Sequence, residues 1–525
     1  MAYHSIKLQL AAIALSLCAP ALAAQVDRYV CNCLSGAQSG CAAGSNSNDG
    51  STPALAKQTL TTVAANERWY FCKGGSFTQT WSGSAWNVST LANPVTATSY
   101  TAWAGGTNKP LITATATNDG NEVFRITSAV GLTVDGLDIN GGKTNNAPAV
   151  YIGPASASVA PSRITVQNTN MRGFGHGAYC TRLDGTPGSK SPTFIRLLDN
   201  RITDNVEGLL VGCDDALYEG NYLYNNGNGS SLHNIYVDNS SSRVTFRNNW
   251  IEKQGRDQAC IGTSFVGHGS HTDLVIEYNR VIETLAAGDG GCYGIQISYG
   301  GYAPVGFTRL QVRGNIVVMA GGGSTGIEVN DCVDCVVEDN LVYMPVTADV
   351  TPIGFFVGGE NNGRPQSIRA IIRNNTVYTT GGNPPDHKGY WVTGPSGGTY
   401  QFYGNAYYST SASASPYCWR HSGSAVSTVF GTFDYNICYR AAGQSNWSDL
   451  YATMSAQQSA GTCLNCKNTN PLLVQPTVDN NWTAKLNSGS PAIDAGHPSL
   501  SGPTDQAGCP IQNGRRDMGA FERGC

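Results

Sequence analysis

Residues 195–204 read IRLLDNRITD, a short apolar strand pattern with one asparagine near its middle. The same line returns as LYEGNYLY (217–224), VTFRNNWIE (244–252), LVIEYNRVI (274–282) and LQVRGNIVV (310–318). It recurs at 336–343 and 370–378, with degenerate copies at 400–408 and 432–439. The marker falls at Asn200, Asn221, Asn249, Asn279, Asn315, Asn340, Asn375, Asn405 and Asn436, at intervals of 21, 28, 30, 36, 25, 35, 30 and 31 residues. Such spacing is regular enough to be structural and too uneven for a helical solenoid of fixed unit length.

Each copy alternates Val, Ile, Tyr or Phe with polar residues and is bounded by Gly, Asn, Ser and Asp, as a strand between turns requires. Helix-period stretches between copies are absent. A unit of about thirty residues with two or three short strands cannot bury its own inner face, so the units must stack coil upon coil. Stacking in register predicts that each asparagine amide bonds to those above and below, satisfying polar groups whose burial would otherwise cost about 1–3 kcal/mol each. Coil length, asparagine-bearing strand and Gly-rich turns together resemble the right-handed parallel β-helix of the pectate lyase-like superfamily. That resemblance implies an all-β solenoid over nearly the whole mature chain; it does not by itself imply a function.

The first 24 residues carry a lone Lys7, an apolar run from Leu8 to Cys18 and an Ala21-Leu22-Ala23 site, which reads as a secretory signal peptide. Leu17 is too large for the residue before a lipidated cysteine, so the mature protein is expected to be secreted, soluble and monomeric, without membrane insertion. The charge of −4 and the absence of a polybasic patch argue against nucleic-acid and anionic-membrane partners. Removing the signal leaves sixteen of the 17 cysteines, an even number that in an exported chain predicts disulfides. Cys332/Cys335 and Cys463/Cys466 share a spacing with zinc motifs, but no matching histidines accompany them.

Residues 25–110 differ in pattern and are read as an N-terminal cap with the first strands, Arg68 to Phe71 among them. Thr52-Pro53 marks a helix start, with Leu55, Leu60, Val63 and Ala64 near one face, suited to covering an open solenoid end. Coils are assigned to 111–440 and a C-terminal cap region to 441–525, where SPAID (490–494) and RDMGAFE (516–522) resemble a closing element of such solenoids.

A second strand lies in each coil: Gly208 to Gly212, Asn234 to Asp238, Gly294 to Ser298, Gly326 to Asn330, Gly354 to Gly358 and Gly389 to Thr393. Their second and fourth positions are apolar and so point inward. The third positions then form an outward stripe of Leu210, Tyr236, Gln296, Glu328, Phe356 and Trp391, and the fifth add Asp238, Ser298, Asn330 and Thr393. Aromatic faces among amides and carboxylates suit a polysaccharide, because rings stack on sugars while polar groups bind hydroxyls. The alternative is that long loops cover these rings.

Nearby candidates for chemistry are Asp214, Asp215, His233, Asp238, Arg256, Asp257, His268, His271, Asp273, Asp289, Glu328, Asp331 and Asp334. A lyase acting on a uronic-acid polymer would need a base, from His268, His271, Tyr236 or Arg256, and a group to neutralise the substrate carboxylate, with Asp214 and Asp215 as ligands for a Ca²⁺ ion. A glycoside hydrolase would need two carboxyl groups, drawn from Asp238 with Asp214, Asp215 or Glu328. Thr203-Asp204, Asp214-Asp215 and Gly267-His268-Gly269 resemble, in order, motifs of polygalacturonases; their spacing departs from that family's and its closing Arg-Ile-Lys is missing. His233-Asn234-Ile235-Tyr236 with Gly267-His268 resembles exported bacterial β-helix repeat proteins. β-Elimination is the first expectation, hydrolysis the second, and a non-catalytic surface or adhesion role the third.

Overall fold

A computed structural model describes residues 25–59, 63–79, 95–100, 106–114, 122–142, 147–183, 189–227, 232–238, 240–256, 258–298, 306–322, 324–345, 353–358, 369–381, 387–394, 400–410, 416–421, 426–441, 443, 447–477, 484–499 and 504–523. The signal segment and Asp257 lie outside these residues. The chain winds into a right-handed parallel β-helix of three parallel sheets, with 15, 13 and 11 strands among the described residues. In each coil the path runs through the first sheet, the second and then the third, as in Thr193–Leu198, Arg201–Thr203 and Glu207–Val211.

The repeated line is therefore two strands, not one. Thr193–Leu198 belongs to the first sheet and Arg201–Thr203 to the second, and the asparagine sits at the corner between them. The residue before each ladder asparagine adopts a left-handed conformation, as at Asp199 (φ 52°), Tyr278 (φ 55°) and Gly404 (φ 69°). That turn leaves the backbone N–H of each asparagine aimed at the next coil. Asn249 donates its backbone N–H and its Nδ2 to Oδ1 of Asn279 at 3.0 and 2.9 Å, and Asn279 does the same to Asn315 at 3.0 and 3.1 Å. Each Nδ2 also donates to a backbone carbonyl, such as Asn279 to Phe246 O at 3.0 Å. The ladder runs unbroken from Asn200 to Asn436. A shorter column, Asn205 to Asn226, follows the second sheet in the same manner.

Inside, alternate first-sheet positions such as Val244, Phe246, Leu274 and Ile276 are buried, and rings stack coil on coil, Tyr218 on Phe246 at 4.7 Å and Phe402 on Phe433 at 4.9 Å. Outside, the first sheet carries two columns of alternating charge. One pairs Asp215 with Arg243, Asp273 with Arg309 and Asp334 with Arg369; the other pairs Glu219 with Arg247, Glu277 with Arg313 and Glu338 with Arg373. Like residues one coil apart would repel, so alternation is what in-register stacking demands of charged columns.

The first-sheet edge is Val26–Val30, paired with Glu67–Cys72, and Thr52 caps a single 3-10 turn, Pro53–Leu55, whose Leu55 is 45% exposed. At the far end Trp447 packs on Trp419 (5.5 Å) and the helix Met454–Ser459 contributes Gln457, which binds the Trp447 indole. The following segment folds back along the second sheet, whose outward Ile316, Val318, Leu341, Tyr343 and Tyr378 are covered by Leu473, Leu486, Ala492, Met518 and Phe521. The closing motif thus seals a flank: Arg516, fully buried, reaches Asp339 and Glu522, and Gly519 N–H donates to Gly404 O. Seven disulfides are formed, Cys31–Cys72, Cys33–Cys41, Cys180–Cys213, Cys260–Cys292, Cys332–Cys335, Cys418–Cys438 and Cys463–Cys466, and Cys509 is also bonded.

Candidate functional site

The outward stripe is a single column in register along the third sheet. It reads Arg125, Tyr151, Tyr179, Leu210, Tyr236, Val266, Gln296, Glu328, Phe356, Trp391, Arg420. With strands about 4.8 Å apart the column is about 50 Å long. The sequence pattern missed its first part, although PAVYI (Pro148–Ile152) and HGAYC (His176–Cys180) place Tyr at the same third position. Two further columns flank it. One holds His176, Glu207, Thr263, Tyr293, Thr325 and Lys388; the other holds Gly212, Asp238, His268, Ser298, Asn330 and Thr393. Glycine starts most of these strands because a Cβ there would strike the next coil, as Gly208 would meet Asn234 O at 2.2 Å.

Aromatic groups occupy both ends of this face. At one, Arg125 lies over Tyr151 (4.8 Å) and Tyr151 meets Tyr179 edge-on at 5.6 Å. At the other, Phe356 contacts Trp391 at 4.8 Å, and Lys388 and Arg420 lie 5.2 and 4.6 Å from the Trp391 ring. These rings are half-buried, whereas Val266 and Glu328 in the middle of the column, and Asn330 beside them, are buried.

Between them lie the groups able to do chemistry. His268 holds Ser298 O at 2.9 Å through Nδ1, which fixes the proton on that nitrogen and leaves the Nε2 lone pair without a partner among the described residues. Tyr236 stands edge-on to His268 at 5.7 Å, and the carboxylate of Asp238, one coil away, makes no hydrogen bond among the described residues, its backbone N–H donating to Val211 O at 2.8 Å. Arg182 lies at the same corner, chelating Asp214 at 3.0 and 3.1 Å and bonding Ser240 Oγ at 2.8 Å. Farther along, Thr263 donates to Gln296, Gln296 to Glu328 (3.2 Å), and Asn330 to Glu328 (2.6 Å). Beside Tyr179, His176 Nε2 is 3.2 Å from Glu207, a buried carboxyl whose pKa is pushed up by burial despite that partner.

Several expected site residues are placed elsewhere. His271 uses both ring nitrogens internally, with Ser241 Oγ at 2.7 Å and His268 O at 2.6 Å, and burial lowers its pKa to about 4. His233 is held by Thr263 O at 2.9 Å and is likewise lowered to about 4 by burial. Asp273 and Asp334 belong to the first-sheet charge column, as does Asp215, whose Arg243 partner holds its pKa below the usual carboxylate range. Asp214 is taken by Arg182 and by Ser242 N–H at 2.8 Å. With a guanidinium on each carboxylate, Asp214 and Asp215 do not fit a Ca²⁺ site. Asp238 and Glu328 lie three coils apart, about 14 Å, beyond the roughly 5–9.5 Å over which two carboxyl groups act on one glycosidic bond. The clusters with metal-like spacing, Cys31/Cys41/Cys72 and Cys260/Glu283/Cys292, consist of disulfide cysteines plus one carboxylate, which removes zinc from the reading of those residues.

No family model matches the chain, and no curated protein matches it. Solved structures do. The pectate lyase Pel9A aligns over 96% of this chain and 98% of its own, at 12% identity and a TM-score of 0.37. The A-module of the mannuronan C-5 epimerase AlgE6 from Azotobacter vinelandii covers 71% of this chain and 84% of its own, at 12% identity and 0.34. PfbA, a surface adhesin of Streptococcus pneumoniae, covers 66% and 82%, at 9% identity and 0.38. Enzymes and an adhesin thus stand side by side, and no activity follows from the likeness. By its three parallel sheets and its asparagine ladder, the chain is a right-handed parallel β-helix protein.

Proposed function

We propose that this is an exported protein that binds a uronic-acid polysaccharide along the third sheet and cleaves it by β-elimination, with His268 as the base. The observation that carries the reading is the His268 tautomer: Nδ1 is tied to Ser298 O while Nε2, on a half-buried ring beside a column about 50 Å long with aromatic ends, has no partner among the described residues. Tyr151, Tyr179, Tyr236, Phe356 and Trp391 supply stacking faces for sugar rings and Gln296 a polar contact to hydroxyls, whereas Asn330, expected to bind substrate, is fully buried and spent on Glu328. Arg182 is the guanidinium at the His268 corner, already paired with Asp214, so a substrate carboxylate would bind it by sharing it with that partner. Hydrolysis is disfavoured by the separation of Asp238 from Glu328 and by the arginine partners of Asp214 and Asp215. Seven disulfides fit an oxidising compartment.

The test is incubation of the mature protein with uronic-acid and neutral polysaccharides, following ultraviolet absorbance of unsaturated products and new reducing ends. Both signals, lost in His268→Gln with binding retained, are expected. Reducing ends alone would replace elimination by hydrolysis, and binding without either signal would replace the enzyme by a non-catalytic surface protein.

A further inference from the structure

The outer face of the first sheet carries a second place for an acidic sugar. Ten described arginines lie on first-sheet strands or their bulges, and eight of them have a carboxylate within ion-pair distance: Arg28, Arg68, Arg243, Arg247, Arg309, Arg313, Arg369 and Arg373. Arg163 and Arg196 have none among the described residues, and both are exposed. They line, with Thr165 and Phe194, an open depression of about 370 Å³. Register fixes their relation. Ile164 pairs with Ile195 and Thr165 with Arg196, so Arg163 sits beside Phe194 and diagonally from Arg196, one coil away.

Phe194 occupies the column where later coils hold Asp215, Arg243, Asp273, Arg309, Asp334 and Arg369. It is 57% exposed and has φ 56°, a conformation that glycine, asparagine or aspartate takes more readily than a bulky residue. Neither the core nor the turn explains a phenylalanine there. The next carboxylate along the column, Asp215, is already held by Arg243, so it does not neutralise this spot. Two uncompensated guanidinium groups and one open aromatic face make a concave site, on a chain whose net charge is −4.

We infer that Arg163, Phe194 and Arg196 form a secondary binding site for a uronate residue, the guanidinium groups taking the sugar carboxylate and Phe194 stacking on the ring face. The site is on a different sheet from the His268 column and needs no catalysis. It would hold a polymer chain to the flank of the solenoid while another segment occupies the third sheet.

The probe is a galacturonate tetrasaccharide, titrated calorimetrically into His268→Gln protein, with the Arg163→Ala/Arg196→Ala pair and Phe194→Ala introduced separately into that background. Ligand-detected magnetisation transfer from the Phe194 ring protons, lost in Phe194→Ala, identifies the site itself. The expected result is transfer from Phe194, at least a tenfold weaker binding component in the arginine pair, and no displacement by the neutral glucose tetrasaccharide. Unchanged thermal unfolding of both variants shows that these losses are not misfolding. Three results overturn the inference: unchanged titration and no Phe194 transfer, equal binding of the neutral sugar, or full displacement by sulfate at equal concentration, which would make it a general anion patch. All three can be read whether or not the third sheet binds or cleaves anything, so failure here is distinguishable from failure of the lyase reading.

Discussion

Replacing Asn279 with alanine removes the middle of the ladder. Its Oδ1 accepts from the backbone N–H and the Nδ2 of Asn249, and its Nδ2 donates to Phe246 O and to Asn315 Oδ1. Two of these neighbours keep a partner. Asn249 Nδ2 still reaches Tyr218 O at 2.9 Å, and Asn315 Oδ1 still accepts the Asn279 backbone N–H at 3.0 Å. The Asn249 N–H loses its acceptor in a wholly buried place, and Phe246 O loses its side-chain donor. One or two groups left without these bonds, at about 1–3 kcal/mol each, give an expected loss of about 1–6 kcal/mol. Urea unfolding followed by far-ultraviolet circular dichroism measures it as a lower midpoint at unchanged slope. Asn205, in the two-member column after the second sheet, has the same kind of contacts and serves as the companion substitution. A loss below about 0.5 kcal/mol at both sites would refute the argument that the amide columns stabilise the stack.

Acid should weaken the fold through His233 and His271, whose folded pKa values of about 4 lie below the usual histidine value of 6.5 because burial disfavours their charge. Their contribution is full above pH 6.5 and is lost as pH falls through 4, about 3 kcal/mol for each, seen as a falling urea midpoint that flattens in His271→Gln. Trp391→Ala should weaken polymer binding by about tenfold while leaving the thermal midpoint nearly unchanged, measured by affinity electrophoresis, since Trp391 is half-buried on the outer face. Removing the Cys260–Cys292 bridge by a double alanine substitution should cost about 2–4 kcal/mol, read from unfolding with and without reductant.

The repeat alone determined the fold class, because an apolar strand that recurs with one asparagine can satisfy that buried amide only by stacking on its own copies. It also gave the in-register column of Tyr236, Gln296, Glu328, Phe356 and Trp391, since the two-residue period of a strand assigns faces without reference to anything distant. Where the chain turns was less legible: the asparagine reads as mid-strand, and the left-handed residue before it, Asp199 or Tyr278, has no fixed identity that would reveal a corner. Only the tertiary structure decided which charges are spent. Asp214, Asp215, His233 and His271 look reactive in one dimension, and each is taken by a group 3 to 32 residues away that the winding brings alongside. Among the described residues the same winding leaves His268 Nε2, the Asp238 carboxylate, Arg163 and Arg196 without such partners. Coil lengths from 21 to 36 residues set which side chains meet across coils, and no local pattern encodes that sum.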